Sequence, residues 1–142
     1  MTVKQISVFV ENKPGKLLDI VRILKRENVD MRALSIGETS DYGILRLIVD
    51  KPDEALMALS QGGFVCSATP VIAIKIPDEP GSLERVLSVL ANDGISIEYT
   101  YAFLMNEKNA ACLVLRVPDN ERAVKVLQKS GVEIFNGKTF IL

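Results

Sequence analysis

One short motif occurs twice in the sequence, and this duplication limits the folds open to the chain. Residues 12–17 read NKPGKL, and residues 78–83, 66 positions later, read DEPGSL. Each motif follows an alternating apolar run and precedes apolar residues at helical spacing. The chain is therefore predicted to be one small structural unit written twice.

The first copy predicts the element order βαββαβ. Ile6, Val8 and Val10 alternate with their neighbours, as in a strand with one buried face. A helical pattern follows, carried by Leu17, Ile20, Val21 and Leu24. The remaining predicted elements are strands at residues 29–36 and 42–49, a helix at 54–60 and a short strand at 64–67.

The second copy repeats this order. Ile72, Ile74 and Ile76 form its first predicted strand, and its first helix carries Leu83, Val86, Leu87 and Leu90. Strands follow at residues 95–104 and 110–117, then a helix at 120–129, a strand at 132–135 and a terminal strand at 138–142. Its turn at residues 105–109 is two residues longer than the counterpart in the first copy.

This element order predicts an α+β fold with two ferredoxin-like units in tandem. In such a unit, two helices cover one face of a four-stranded antiparallel sheet. We place the domains at residues 1–69 and 70–142, separated only by a short hinge at residues 67–70. Joining the two sheets side by side would remove two unpaired edges, so we expect that arrangement.

The size of the units favours assembly. A domain of about 70 residues buries only roughly 60% of the surface that its unfolded chain exposes. We therefore expect the halves to pack together or against a second chain, and a homodimer is the expected oligomer.

Composition argues against several functions. A net charge of −1 provides no positive field for a nucleic-acid backbone, and no apolar run reaches membrane-spanning length. The sequence contains no histidine, which excludes Ser-His and Cys-His nucleophile pairs and His-based zinc sites. Cys66 and Cys112 are isolated and are interpreted as buried reduced thiols. We expect a cytoplasmic, noncatalytic protein without a cofactor or metal.

The repeated turn suits an anionic ligand. Pro14 and Pro80 fix the backbone near the first turn of a helix, and Gly15 and Gly81 carry no side chain that would keep a ligand from the free N–H groups. Those donors fit a carboxylate. The alternative is that both motifs are only structural turns of a duplicated fold.

Both copies resemble the ACT domain family, the regulatory modules attached to enzymes of amino-acid metabolism such as aspartate kinase. The resemblance rests on residues 11–17 followed by 28–31, and on residues 77–83 followed by 94–97. It implies binding of a free amino acid where two domains meet, between the first loop of one domain and the second-strand entry of its neighbour.

The resemblance also implies which residues form the site. The loop positions are Asn12, Pro14, Gly15, Asp78, Pro80 and Gly81, and the strand-entry positions are Asp30 and Ser96. Asp30 and Ser96 both depart from the Asn that family members often carry. Sites that cross between copies would pair Asn12 with Ser96 and Asp78 with Asp30, which gives one neutral pocket and one acidic pocket. A solvated strand entry is the alternative role for Asp30.

These observations predict a stand-alone regulatory or sensor protein that binds a free amino acid and acts on a separate enzyme of amino-acid metabolism. A structural interaction module without a ligand is the main alternative. Four arginines are interpreted as surface charges, or as stems packed along apolar neighbours, rather than as an anion site: Arg32, Arg46, Arg85 and Arg116. The row Tyr99, Tyr101 and Phe103 is interpreted as sheet-face packing rather than a base-stacking surface.

Overall fold

The computed structural model describes residues 1–38, 40–103 and 105–137. These residues form seven strands: β1 (Val3–Glu11), β2 (Met31–Glu38), β3 (Tyr42–Val49), β4 (Cys66–Pro77), β5 (Tyr99–Phe103), β6 (Ala110–Arg116) and β7 (Glu133–Ile134). The helices are α1 (Lys16–Arg26), α2 (Pro52–Gln61), α3 (Ser82–Asn92) and α4 (Asn120–Lys129). None of the helices in these described ranges is long and apolar enough to cross a membrane.

The chain divides into two compact units, and the division falls within β4. The first unit is Lys4–Thr69, and the second unit contains Pro70–Leu142 together with Met1–Val3. Each unit carries two helices and an antiparallel sheet. The predicted α+β class with two ferredoxin-like units is confirmed, whereas the side-by-side joining of their sheets stays a prediction.

In the first unit, β3 lies between β1 and β2. Val8 pairs with Leu45 across β1 and β3, and Leu34 pairs with Leu47 across β2 and β3. On the other side of β1, the Phe9 amide donates to the Val65 carbonyl at 2.9 Å. Helices α1 and α2 cover one sheet face, and the core between them consists of Ile6, Val8, Val10, Ile20, Leu24, Val29, Leu45, Leu47, Val49, Ala55 and Leu59.

In the second unit, β6 lies between β4 and β5. Ile74 is the central position, since it pairs with Leu113 of β6 on one side and with Ile134 of β7 on the other. Helices α3 and α4 cover this sheet, and their core consists of Ile72, Ile74, Ile76, Val86, Leu90, Leu113, Leu115, Val117, Ala123 and Leu127. On the opposite face, the Tyr99 and Tyr101 rings stack with centroids 6.5 Å apart, which confirms that they share a face.

The predicted hinge at residues 67–70 is wrong, because these residues lie inside the continuous strand β4. Pro70 suggests a break in sequence, but its fixed φ is compatible with extended backbone. The Pro70 carbonyl accepts hydrogen bonds from Arg116 Nη1 at 3.0 Å and from Asn120 Nδ2 at 3.2 Å. These side chains anchor the strand where the sequence indicated flexibility.

The second predicted strand of each copy begins too early. The strand predicted from residue 29 begins at Met31, and the strand predicted from residue 95 begins at Tyr99. The reason is the same in both units: the Val29 and Ile95 amides still bond to carbonyls of the preceding helix, those of Leu24 and Leu90. Leu104 and the terminal strand predicted at 138–142 lie outside the described residues.

We predict that truncating equivalent core leucines will destabilise both units. Leu59 of α2 and Leu127 of α4 are both fully buried, so Leu59→Ala and Leu127→Ala should each lower the free energy of unfolding by about 2–5 kcal/mol. Met57, also on α2, is 64% exposed, and Met57→Ala should change the free energy of unfolding by less than about 0.5 kcal/mol. Urea titration followed by circular dichroism measures all three, and equal effects would contradict the core assignment.

Candidate functional site: the two Pro-Gly turns

The two Pro-Gly turns have the same backbone conformation. Gly15 has φ 85° and ψ −9°, and Gly81 has φ 88° and ψ −8°, both in the left-handed region. A Cβ added at either position would meet no atom within 4 Å. Glycine is therefore required by the backbone conformation and not by crowding.

Both turns open a helix that lacks a side-chain cap. Within the described residues, no side chain caps α1, α2 or α3, whereas the Asp119 carboxylate caps α4 by accepting from the Arg122 amide at 3.2 Å. The Lys16 and Ser82 amides make only long turn bonds of 3.3 Å. Since the first amides of a helix have no intrahelical acceptor, both N-termini present donors and a partial positive charge.

The charges around the two turns differ. At the first turn, Lys13 Nζ lies 2.9 Å from Glu11 Oε2, and Lys16 is also close enough to act on Glu11. The hydrogen bond from Lys13 lowers the pKa of the Glu11 carboxyl and raises the pKa of Lys13, so the pair stays ionised. At the second turn, Arg85 Nη2 lies 3.0 Å from Glu79 Oε1, next to Asp78. Two lysines lie near one carboxylate at the first turn. At the second turn Arg85 pairs with Glu79, and the adjacent Asp78 adds a second carboxylate.

All eight predicted site residues are exposed, but each turn lies far from the strand entry of its own unit. The Asn12 amide bonds to the Asp41 carbonyl just before β3 begins, whereas Asp30 exchanges bonds with Asp50 just after β3 ends. An eight-residue strand is roughly 23 Å long. Asn12 and Asp30 of one unit therefore cannot contact a single small ligand.

The second unit has the same separation. The Asp78 amide donates to the Asn109 carbonyl, just before β6 begins. Ser96 lies near the other end of β6, because the Glu98 amide, two residues further on, donates to the Arg116 carbonyl where β6 ends. A site that combines a turn with a strand entry must take the strand entry from a neighbouring domain. That pairing stays a prediction.

Each set of residues lines its own pocket. Asn12 lines a pocket of about 430 Å³ with Leu17 and Ile36. Asp30 lines a different pocket of about 420 Å³ with Asp50. In the second unit, Pro80 and Gly81 line a pocket of about 630 Å³. Both turns therefore border open concave surfaces.

One charged partner of the predicted site was missed from the sequence. The sequence suggests only a surface charge or a packed stem for Arg32, but its Nη1 lies 3.2 Å from Asp30 Oδ2. The Asp50 carboxylate also accepts from the Asp30 amide at 2.9 Å. The two residues are only two positions apart at a strand entry, and this spacing of opposite charges is the signal that could have linked Arg32 to Asp30. An acidic pocket formed around Asp30 would thus include a cation.

The cysteines are not placed for reactivity. Cys112 is fully buried, as predicted, whereas Cys66 is only partly buried, and its Sγ lies 3.6 Å from the Leu56 carbonyl. Burial raises the pKa of both thiols. Within the described ranges, no three His, Cys, Asp or Glu side chains converge as a metal site would require.

Comparison with known proteins decides the family. The family model described as an ACT domain pair matches residues 1–141. The chain belongs to the ACT domain family. Its structure is similar to that of protein BT0572 from Bacteroides thetaiotaomicron, with a TM-score of 0.93 and 38% sequence identity over 99% of this chain and 96% of that one.

This ACT domain pair also shares its fold with more distant structures. The regulatory subunit of aspartate kinase from Thermus thermophilus, in a ligand-free form, matches with a TM-score of 0.64 and 17% identity over 89% of this chain and 90% of that one. The regulatory subunit of aspartate kinase from Thermus flavus matches with a TM-score of 0.62 and 17% identity, over 90% of this chain and 92% of that one. No curated protein matches the sequence.

We predict that both turn glycines are needed for their backbone conformation. Gly15→Ala and Gly81→Ala should each lower the free energy of unfolding by about 1–2 kcal/mol, because a Cβ disfavours the left-handed region. Gly15→Asn is the matched variant and should cost less, since Asn adopts positive φ more readily. Urea denaturation measures these differences, and an alanine variant as stable as the native protein would contradict the assigned conformation.

We also predict slow modification of both thiols. At pH 8 a thiol with a raised pKa contains less thiolate than an ordinary cysteine does. Native Cys112 should therefore not react with Ellman's reagent. Cys66 should react slowly at pH 8, and its rate should increase as the pH rises. In 8 M urea both thiols should react at once. Rapid stoichiometric reaction of the native protein would contradict the burial of Cys112.

Proposed function

We propose that this ACT domain pair is a noncatalytic regulatory protein that binds a free amino acid at its Pro-Gly turns and acts on a separate partner. The observation that carries the proposal is the pair of matching left-handed corners, each opening an uncapped helix. An unsatisfied helix N-terminus attracts a carboxylate through its amide donors and its dipole.

An amino acid also needs acceptors for its ammonium group. Asn12 and Asp78 supply oxygen atoms at the turns, and Asp30 and Ser96 supply them at the strand entries of a neighbouring domain. Backbone donors for the carboxylate and side-chain oxygens for the ammonium together match a zwitterion. A simple anion would use only the first half of this arrangement.

The two turns should not bind the same ligand equally. Lys13 and Lys16 surround the first turn and favour the ligand carboxylate, whereas Asp78 and Glu79 make the second turn more acidic. A site that combines Asp78 with Asp30 would also contain Arg32. Arg32 then reduces the repulsion between two carboxylates that would otherwise oppose each other.

Signalling requires two arrangements of the protein with different affinities for the ligand. A ligand held between domains favours the arrangement that completes its site, and only that difference in affinity shifts the populations. A homodimer, a cytoplasmic location and an enzyme of amino-acid metabolism as partner are part of the proposal. Similar folds that are described as regulatory subunits of aspartate kinase support an enzyme partner.

A thermal-shift screen of the twenty amino acids, followed by calorimetry, tests this function. An amino acid at 100 times its dissociation constant should add about 2.7 kcal/mol to the free energy of unfolding. Asp30→Asn and Asp78→Asn should each weaken the binding of at least one ligand. Asp53→Asn is the matched control, because Asp53 is exposed and pairs with Lys4 away from the turns.

The outcome separates this proposal from the main alternative. Unchanged binding in both aspartate variants would contradict the assigned site, and the lack of any amino-acid response would leave a structural interaction module. Exposed apolar side chains in the first unit favour that second function, since Leu34 is 52% exposed, Ile36 48% and Leu17 39%.

A further inference from the structure

The second unit contains a pocket of about 470 Å³ whose lining includes none of the eight predicted site residues. It adjoins the pocket at Pro80 and Gly81, with which it shares Arg85, Val89 and Ser130. It lies between α3, the turn before β6 and the segment that joins α4 to β7. Its polar lining includes Lys75, Ser82, Arg85, Glu107 and Glu133. We propose that this pocket of the second unit is a further ligand site, for a free α-amino acid with an aliphatic side chain.

Comparison of the two units shows why the second has room. The amides of Phe64 and Val132 make equivalent bonds of 3.0 Å to the carbonyls of Leu59 and Leu127, so the two residues occupy equivalent positions. In the first unit, Phe64 packs against the core. In the second unit, the smaller Val132 leaves part of that volume to the pocket it lines.

A second difference enlarges the pocket. Ile23 of α1 corresponds to Val89 of α3. In the first unit the Ile23 side chain packs so closely on Gly62 that a Cβ added there would lie only 2.7 Å from Ile23 Cδ1. In the second unit, the position of Gly62 is held by Ser130, and both Ser130 and Val89 line the pocket. Smaller apolar side chains thus make space for a hydroxyl and for a ligand.

The charges of the pocket are also specific to the second unit. The cross-strand neighbours Phe9 and Val65 of the first unit are replaced by Lys75 and Glu133. Lys75 Nζ lies 2.5 Å from Glu107 Oε2 and 3.9 Å from Glu133 Oε2. Glu107 lies in the turn that is two residues longer in the second copy. The longer turn and the two replacements together give the pocket its charged rim.

The donors of the pocket suit a carboxylate. The Ser82 side chain is 4% exposed and lines the pocket, and Arg85 Nη2 donates to Ser82 Oγ at 3.2 Å. Ser82 and Arg85 of α3 and Ser130 at the end of α4 all line the pocket. A charge-assisted bond to Arg85 would anchor the ligand carboxylate.

The rest of the lining suits an ammonium group and an aliphatic side chain. The Glu107 and Glu133 carboxylates retain acceptor capacity beyond Lys75, because each oxygen accepts more than one hydrogen bond. The apolar wall consists of Ile76, Val86, Val89 and Val132. Charges of both signs around an apolar wall match a zwitterion, and the volume lies within the range of about 300–1,000 Å³ typical of ligand pockets.

Isothermal titration calorimetry of the full chain with L-leucine, L-isoleucine and L-valine tests the proposal. Val132→Phe places the side chain of the first copy in the pocket and should weaken binding at least tenfold. Glu107→Gln should weaken binding about tenfold by removing the negative charge that attracts the ammonium group. Because Glu107 lies on an exposed turn, this variant stays informative if Val132→Phe does not fold. Glu121→Gln, on the exposed side of α4, should bind like the native protein.

The failure of this proposal is distinguishable from that of the turn sites. Leucine binding that survives Val132→Phe and Glu107→Gln but is lost in Asp30→Asn or Asp78→Asn would overturn the pocket and support the turns. Leucine binding that is lost only in Val132→Phe and Glu107→Gln would support the pocket. Equal binding of 4-methylpentanoate, which lacks the amine, or no binding of any of the three amino acids would overturn the proposal.

Discussion

Each unit depends on one apolar helix stripe held against the centre of its sheet. Ile20 and Leu24 of α1 pack against β1 and β3, and Val86 and Leu90 of α3 do the same in the second unit. With about 70 residues a unit has only one small core, so this packing orients each first helix on its sheet. Because α1 and α3 follow their strands after a short turn, the same packing positions the Pro-Gly corners.

The Pro-Gly corners combine two features, each of which by itself lowers the stability of the fold. A left-handed residue ends the approach to the helix, and the helix begins without a side-chain cap, which typically contributes about 1 kcal/mol. The chain does use such a cap at α4, through Asp119. The same uncapped geometry in both units leaves amide donors open at two places, which is the physical basis for an anionic group as their partner.

The two units share a backbone design but differ in side chains. Gly15 and Gly81 agree within a few degrees, whereas lysines surround one corner and carboxylates the other. In the helix-sheet interior, Phe64 fills a position that Val132 leaves partly open. Duplication thus preserved the conformation and allowed the chemistry of the two units to diverge. Lys75 and Glu133 of the pocket, for example, occupy the positions that Phe9 and Val65 hold in the first unit.

The sequence by itself determined the repeat, the βαββαβ order, most core positions and the glycine corners, because periodicity and turn chemistry are local properties. It misjudged Pro70, which side chains of Arg116 and Asn120 hold inside β4, and it began two strands early where helix carbonyls still bind the chain. Only the tertiary structure decided that Asn12 and Asp30 lie at opposite ends of β3 and that Lys75 meets Glu107. Those relations depend on strand register and side-chain volume between residues distant in sequence, which no local pattern encodes.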